Sequence, residues 1–408
     1  MKILVLNAGS SSQKSCLYDL SDNLPDHPPK PLWQADIDWT GSNDEGKLTV
    51  EAQGSTQEIS LNRDDRTGAI ATMLMTLTEG ETEVIAQFAD IDIVGHRVVH
   101  GGSDYSEATL ITPTVKAAIA SLIPLAPSHN PVHLEGIEAV EMMLPNLPQL
   151  AMFDTAFHAH MPPEAAIYPI PYEWYEKGVR RYGFHGISHK YCAGRAAQLL
   201  ARPLDTLKLV TCHLGNGCSL AAIQNGMSVN TTMGFTPLEG LMMGTRSGSI
   251  DPAISLYLMR EHHLEADQID RLLNKESGLQ GISGISGDMR QIQQQIDKGN
   301  KRAMLALDMY VHRLCSQLGS MIATLGGVDA LVFTAGIGEH SATVRELACN
   351  RLRFLGLQLD PQKNAASPAD EDIATPDSAV QVLIIHAEED WAIAQECWHY
   401  DSSQQSAE

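Results

Sequence analysis

Two stretches of the chain share one pattern, and that repetition restricts the fold more than any other feature. Lys2-Ile-Leu-Val-Leu6 is a nearly all-apolar run, the composition of a strand buried on both faces. It breaks at Asn7-Ala-Gly-Ser-Ser-Ser-Gln-Lys14, where Gly9 permits a tight turn. Ser10, Ser11 and Ser12 there offer hydroxyl and N–H groups to an anion. Lys14 adds a point charge, and Asn7 adds an amide oxygen suited to a metal ion or its waters. Cys16-Leu-Tyr-Asp-Leu20 then reads as a second strand, unlike the helix that follows a GxxxxGK[ST] loop, a motif this sequence does not contain. About half the chain later, residues 207–223 repeat the order of strand, Gly-rich turn (His213, Leu214, Gly215, Asn216, Gly217) and strand. One Gly-Ser hairpin is an ordinary turn. Two phosphate-type hairpins half a chain apart predict a duplicated domain closing on one nucleotide.

At 408 residues the chain has room for two or three domains with large cores. Its 28 Lys and Arg against 50 Asp and Glu leave a net charge of -22. Such a surface repels nucleic acid and anionic membranes, so an anionic substrate must be drawn by local arginines. The seven cysteines form no CxxC pair and sit mostly in apolar surroundings, as reduced core thiols of a cytoplasmic protein do. No stretch of 18 apolar residues exists, and the run after Lys2 is too short for a signal peptide. The expectation is a cytoplasmic protein with neither nucleic-acid nor membrane partners.

Strand and helix patterns alternate along the chain, which predicts an α/β fold. Buried strands are expected at 91–94, 150–153, 330–333 and 380–385, with alternating runs at 47–51 and 57–61 forming an antiparallel edge. Helices are expected at 67–77, after the Thr112-Pro113 cap, and at 132–144, 188–200, 253–261 and 301–325, the last stopping at Gly326-Gly327. Residues 161–171, rich in proline, read as a crossing between domains, and 278–290 as a glycine-rich loop. The expected domains are 1–150, rejoined by 388–408, and 151–387.

Asn7, Arg97, Asp154, His213, Gly336 and Glu389 each fall at or just past an expected strand tip, where open α/β sheets bind ligands. Any one of them alone would be a cap or loop residue; together they predict one cleft. Gly95-His-Arg97 and Met243-Gly-Thr-Arg-Ser-Gly248 set single arginines among glycines, an arrangement suited to clamping anions. Thr334-Ala-Gly-Ile-Gly-Glu339 lets backbone approach a base or phosphate. A rival reading takes His158-Ala-His160 as a zinc pair of a hydrolase, but it leaves both hairpins unexplained.

These residues carry a resemblance. Asn7-Ala-Gly-Ser-Ser-Ser, Gly95-His-Arg-Val-Val-His-Gly-Gly, Phe153-Asp-Thr-Ala-Phe-His and Arg181-Tyr-Gly-Phe-His-Gly resemble the acetate kinase family. His213-Leu-Gly-Asn-Gly, Met243-Gly-Thr-Arg-Ser-Gly, Asp288-Met-Arg290 and Phe333-Thr-Ala-Gly-Ile-Gly-Glu339 extend the likeness over nearly the whole chain in order. The resemblance implies a duplicated actin/hexokinase-like (ribonuclease H-like) fold with a central ATP cleft. It also implies reversible phosphoryl transfer from ATP to acetate, giving acetyl phosphate and ADP, with Mg2+ or Mn2+. By motif match, Asn7 and Glu389 would serve the metal, while Ser10, Ser12, Lys14 and the turn His213, Leu214, Gly215, Asn216, Gly217 would hold phosphates. Asp288, Met289 and Arg290 with Gly336, Ile337, Gly338, Glu339 and His340 would hold the nucleoside. Arg97 would bind the carboxylate, His185 and Arg246 would stabilise the transferring phosphoryl, and Asp154 would be the catalytic acid/base. A homodimer and a phosphate acetyltransferase as pathway neighbour are implied as well.

Four positions depart from the family pattern. Ser128 precedes His129 where leucine is usual, in the loop that with Val99, Phe184 and Pro237 would enclose the acyl methyl. Ser249 stands for aspartate, His340 for asparagine, and Glu388-Glu-Asp390 for Asn-Glu-Glu, which leaves Glu388 as an alternative metal ligand. Acetate is expected ahead of propionate. An acetate pKa near 4–5 means no general base is needed at pH 7, so Asp154 is expected to orient its partners more than to shuttle a proton. A chaperone- or filament-type ATPase of the same fold is the rival from another class; it would need no small-acid pocket.

Overall fold

The computed structural model describes residues 1–9, 12–20, 23–39 and 45–405; Ser10 and Ser11 of the first turn lie outside them. The chain divides into two compact units, one of Met1–Ala156 with Glu388–Glu408, the other of Phe157–Ala387.

In the first unit, β1 (Lys2–Ala8), β2 (Ser12–Asp19), β3 (Trp33–Asp38), β4 (Glu45–Ala52), β5 (Ser55–Asn62), β6 (Ile93–Val98), β7 (Thr109–Leu110) and β8 (Gln149–Phe153) form one sheet. Their order is β5-β4-β3-β2-β1-β6-β8-β7. β1 runs antiparallel to β2, pairing Asn7 with Lys14, and parallel to β6. Its apolar run is buried on both faces because helices cover both. Leu4 and Leu6 pack with Met73 and Val140 of helices Arg66–Met75 and Asn130–Met143, while helix Glu389–Gln405 packs along β1 and β6.

In the second unit, β9 (Lys208–Leu214), β10 (Cys218–Gln224), β11 (Met227–Thr231), β12 (Ala330–Thr334), β13 (Glu371–Asp372) and β14 (Gln381–Ile384) take the order β11-β10-β9-β12-β14-β13. Cys192, Ala193 and Ala196 of helix Gly186–Leu199 pack on Leu209, Ala221 and Val332. Helix Lys301–Leu325, which packs on β9 and β10, is capped by the Asn300 side chain at one end and by left-handed Gly326 (φ 64°) at the other. The two units share a strand order: β3-β2-β1-β6-β8 and β11-β10-β9-β12-β14 both place an antiparallel three-strand meander beside two parallel strands. The duplication visible as two hairpins is therefore a duplication of whole sheets.

Two local expectations change, and one strand is added. Arg97 does not lie in a glycine loop: β6 continues through Gly95, His96 and Arg97, so the guanidinium projects from a strand. Gly95 is small for packing reasons, since a β-carbon there would stand 2.5 Å from Ile393 Cγ2 and 2.7 Å from Cys397 Sγ. The expected loop at 278–290 is instead helix Gly278–Ser283, closed by Gly284 at φ 70°, and the start of helix Met289–Asp297, capped by Asp288. β3 is a strand not expected from the sequence, with Trp33, Ala35 and Ile37 buried in alternation.

Gly95→Ala should push helix Glu389–Gln405 off the sheet and lower stability by about 1–3 kcal/mol. Chemical denaturation would measure this, and an unchanged midpoint would contradict the packing described.

Candidate active site

Within the first unit, the parallel register of β1, β6 and β8 brings three polar residues together at the carboxyl ends of the strands. Arg97 lies on β6, and Asp154 follows β8 directly. Arg97 donates from Nη2 to Asp154 Oδ2 at 2.7 Å and from Nε to Oδ1 and Oδ2 at 3.2 and 3.3 Å, a fork held by one carboxylate. Its Nη1 donates to Asn7 Oδ1 at 3.3 Å. The Asn7 amide donates in turn to Asp390 Oδ1 at 2.7 Å and Glu389 Oε2 at 3.4 Å. Asp390 has its carboxyl pushed above the usual range by burial, with Glu389 adding to the rise, and it accepts from Cys16 Sγ at 3.7 Å. Asp390 was not singled out in the sequence; its role depends on contact with Asn7, 383 positions away.

Val99 is buried just after β6, and Ser128 is exposed in the loop preceding helix Asn130–Met143. Asn130 ties this loop to the β6 tip: its Oδ1 accepts from His100 N at 3.2 Å, and its Nδ2 donates to His100 O at 3.2 Å. His129 stands beside it at the start of the helix. Lys14 is exposed on β2, opposite Asn7, and Ser12 opens that strand.

The remaining predicted residues belong to the second unit. Gly183 (φ 77°) turns the chain tightly, since a β-carbon there would stand 2.6 Å from both His158 Cδ2 and Thr231 Cγ2. Phe184 is buried, and His185 adopts a left-handed conformation (φ 58°) at the start of helix Gly186–Leu199. His213 on β9 stacks on His185 with ring centroids 4.1 Å apart. In the turn after β9, Gly215 N donates to Gly217 O at 3.0 Å, and Gly244 N braces Asn216 O at 3.0 Å. Arg246 donates from Nη1 to Pro237 O at 3.3 Å, and burial lowers its pKa. A β-carbon on Gly217 would lie 3.4 Å from His185 Nε2 and 3.6 Å from Arg246 Nη1. The absent side chain leaves a gap bordered by two N–H-bearing groups, a geometry suited to phosphoryl oxygens.

Along the expected nucleoside segments the residues divide. Gly336 and His340 are exposed and Ile337 is half-buried, while Gly338 is buried. The Glu339 side chain is committed elsewhere: it accepts from Ala387 N at 3.0 Å and pairs with His386 Nδ1. Met289 is turned into the core, whereas Asp288 caps its helix and pairs with exposed Arg290 at 2.7 Å. Arg345, also missed in the sequence, is fully buried, and among the described residues its hydrogen-bond partners include no carboxylate. Its fork reaches the carbonyls of Gly338 and Glu339 at 2.7 Å and Asn364 Oδ1 at 2.8 Å, so it holds the end of helix Ala335–His340 in place. Burial lowers its pKa to about 10.

The zinc reading of His158 fails on geometry. Its Nδ1 meets Ser228 Oγ at 2.7 Å and its Nε2 meets Phe184 O at 3.1 Å, so both ring nitrogens already have partners, and burial lowers its pKa to about 4.

Comparison with known proteins defines the class. The model of the Acetokinase family matches residues 2–395. The chain belongs to that family. It is 68% identical over 401 residues to an acetate kinase of Rippkaea orientalis (strain PCC 8801 / RF-1), covering 98% of this chain and 99% of that protein. Among solved structures, an acetate kinase of Porphyromonas gingivalis superposes with TM-score 0.89 at 40% identity, covering 98% of this chain and 99% of that one. A propionate kinase from Francisella tularensis subsp. tularensis SCHU S4 superposes with TM-score 0.88 at 38% identity, covering 97% and 98%. The two-sheet α/β architecture is thus the duplicated actin/hexokinase-like fold of these small-acid kinases.

Asp154→Asn should weaken the Arg97 fork, raising KM for the acid at least about tenfold and lowering kcat, with little change in KM for nucleotide. Steady-state kinetics would test this; near-normal turnover with normal metal affinity would remove Asp154 from the site.

Proposed function

We propose that this chain is an acetate kinase, transferring the γ-phosphoryl of ATP directly to acetate and running in reverse from acetyl phosphate and ADP. The observation that carries the reading is the Arg97 fork: a guanidinium fixed by Asp154 and Asn7 at the carboxyl ends of the central strands of a protein whose net charge is -22. Both reactants are anions, and a strongly acidic surface repels each of them. A fixed guanidinium supplies local attraction with a direction, and the pairing orients it before substrate arrives.

Acetate reaches the site ionised, so the reaction needs no base. Asp154, engaged with Arg97, serves as an orienting group. Arg97 binds the carboxylate; Val99, Ser128 and His129 of the first unit, and Phe184 and Pro237 of the second, are the residues assigned to the acyl group. His185 and Arg246 hold the phosphoryl as charge spreads over its equatorial oxygens; the Gly215–Gly217 turn of the second unit, and separately Lys14 and Ser12 of the first, are assigned to the phosphates. The exposed backbone at Gly336 and the Asp288–Arg290 pair receive the nucleoside.

The family uses ATP with a divalent metal. Mg2+ fits the donors present: the Asn7 amide oxygen and the Glu389 carboxylate are hard oxygen ligands, with Asp390 bound behind Asn7. Bound there, it would neutralise phosphate charge. Seven free thiols accord with a reducing cytoplasm, and no described helix is long and apolar enough to cross a membrane. A phosphate acetyltransferase is the natural metabolic neighbour of a protein making acetyl phosphate.

Acetate comes first, as the name of the 68% identical relative supports, and propionate is a weaker competitor, because Ser128 departs from the family pattern and one methylene changes selectivity by only about 1–3 kcal/mol in an apolar pocket. Trapping of acyl phosphate with hydroxylamine, using MgATP and acetate, propionate or butyrate in parallel, tests the whole reading. Hydroxamate should form only with acid, best with acetate, and vanish in Arg97→Ala. ATP hydrolysis without hydroxamate would overturn the kinase reading in favour of an ATPase, and higher kcat/KM for propionate would overturn the acid assignment.

A homodimer is supported by the exposed apolar residues of helix Ala253–Glu261, where Ile254, Leu256, Tyr257 and Met259 are 40–56% exposed. Sedimentation should give twice the 44.4 kDa chain mass; a monomer at micromolar concentration would rule the assembly out.

A further inference from the structure

Behind the His185 ring runs a buried chain of hydroxyl and imidazole groups that nothing above uses. His185 Nδ1 lies 2.9 Å from Ser219 Oγ on β10. The same oxygen lies 2.7 Å from His189 Nε2, one helical turn beyond His185. His189 Nδ1 lies 2.7 Å from Thr211 Oγ1 on β9. Thr211, Ser219 and His189 are fully buried. Burial, with His158 and His213 nearby, drives the His189 pKa well below its ordinary value, so that ring is neutral, with one nitrogen donating and the other accepting.

Only one arrangement of protons satisfies every buried hydrogen. Among the described residues, Thr211 Oγ1 makes no other side-chain hydrogen bond. If His189 donated from Nδ1, the Thr211 hydroxyl hydrogen would have no acceptor in a dry interior, which is costly. Thr211 therefore donates to His189 Nδ1, His189 donates from Nε2 to Ser219 Oγ, and the Ser219 hydroxyl is left to donate to His185 Nδ1. His185 Nδ1 is then an acceptor, and the ring proton sits on Nε2. That nitrogen borders the gap at Gly217 that Arg246 Nη1 also borders.

We propose that Thr211, His189 and Ser219 are positioning residues that lock His185 as its neutral Nε2–H tautomer and so present one hydrogen-bond donor to the transferring phosphoryl group. A second proton on His185 Nδ1 would turn that nitrogen into a donor facing Ser219 Oγ and displace the Ser219 hydrogen. The chain thus holds His185 as a neutral donor and leaves the positive charge to Arg246. The proposal rests on the reading of His185 as a phosphoryl ligand.

The test uses the full-length protein labelled with 15N-histidine. Two-bond 1H–15N correlation at pH 8 should show the Nε2–H pattern for His185, identified by its loss in His185→Gln. Ser219→Ala should move His185 toward the Nδ1–H form and lower kcat about tenfold, with KM for acetate and MgATP changed less than about threefold. Thr211→Val, which removes the far donor, should shift the spectrum in the same direction and serves if Ser219→Ala does not fold. An Nδ1–H pattern in the unaltered protein overturns the proposal without any variant. Ser219→Ala with unchanged tautomer and kcat overturns it as well, provided His185→Gln is slow. If His185→Gln itself keeps full kcat, the phosphoryl role of His185 falls, and the proposal falls with it.

Discussion

The fork between Arg97 and Asp154 is the interaction around which the polar array at the strand ends of the first unit is built. A guanidinium beside an ordinary loop would sample many rotamers, and its entropy would be lost on each binding event. Here the strand register places Arg97 directly ahead of the β8 end, and one carboxylate takes both its Nε and an Nη. Asn7 closes a further side and passes the contact to Glu389 and Asp390. The array sets one guanidinium and a neutral amide among three carboxyl groups, Asp154, Glu389 and Asp390, so that each buried polar group meets a hydrogen-bonding partner at the strand ends.

The second unit solves a related problem with fewer charges. Arg345 finds carbonyl oxygens in place of a carboxylate, two of them at the end of helix Ala335–His340, where the helix dipole is negative. Glu339 from the same helix is pinned to His386 and Ala387. The helix is therefore fixed by its own backbone and one acid, while Gly336 and His340 remain exposed. Among the described residues Arg345 and Glu339 are satisfied at the end of this helix, whereas the buried Thr334 hydroxyl at its start has no protein partner.

Much of this was legible in the residues. Doubly buried strands write themselves as unbroken apolar runs, so β1, β8, β9 and β12 could be read directly. Helix Lys301–Leu325 was equally plain, because its apolar period and terminal glycines agree. Glycine misled where its smallness serves packing: Gly95 looks like a turn in sequence, yet it admits Ile393 and Cys397 against a strand. Asp390, Arg345 and the Ser219–His189 chain were illegible for a common reason. Each acts through partners distant in sequence, and a lone Asp, Arg or Ser carries no local pattern that distinguishes it from a surface residue. The strand tips carrying Asn7, Arg97, Asp154 and His213 were legible because sheet topology fixes where tips fall.

Helix Glu389–Gln405 belongs to the same unit as Met1–Ala156, so that unit is built from segments that precede and follow the second unit in sequence. During synthesis the whole of Phe157–Ala387 emerges before the residues that cover Gly95 and supply Glu389 and Asp390. A ribosome can thus release a closed second unit while the first still has an open sheet face. The order of translation acts as a timer: the pairing of Asn7 with its two acids, and any chemistry that depends on it, can begin only as the last helix docks.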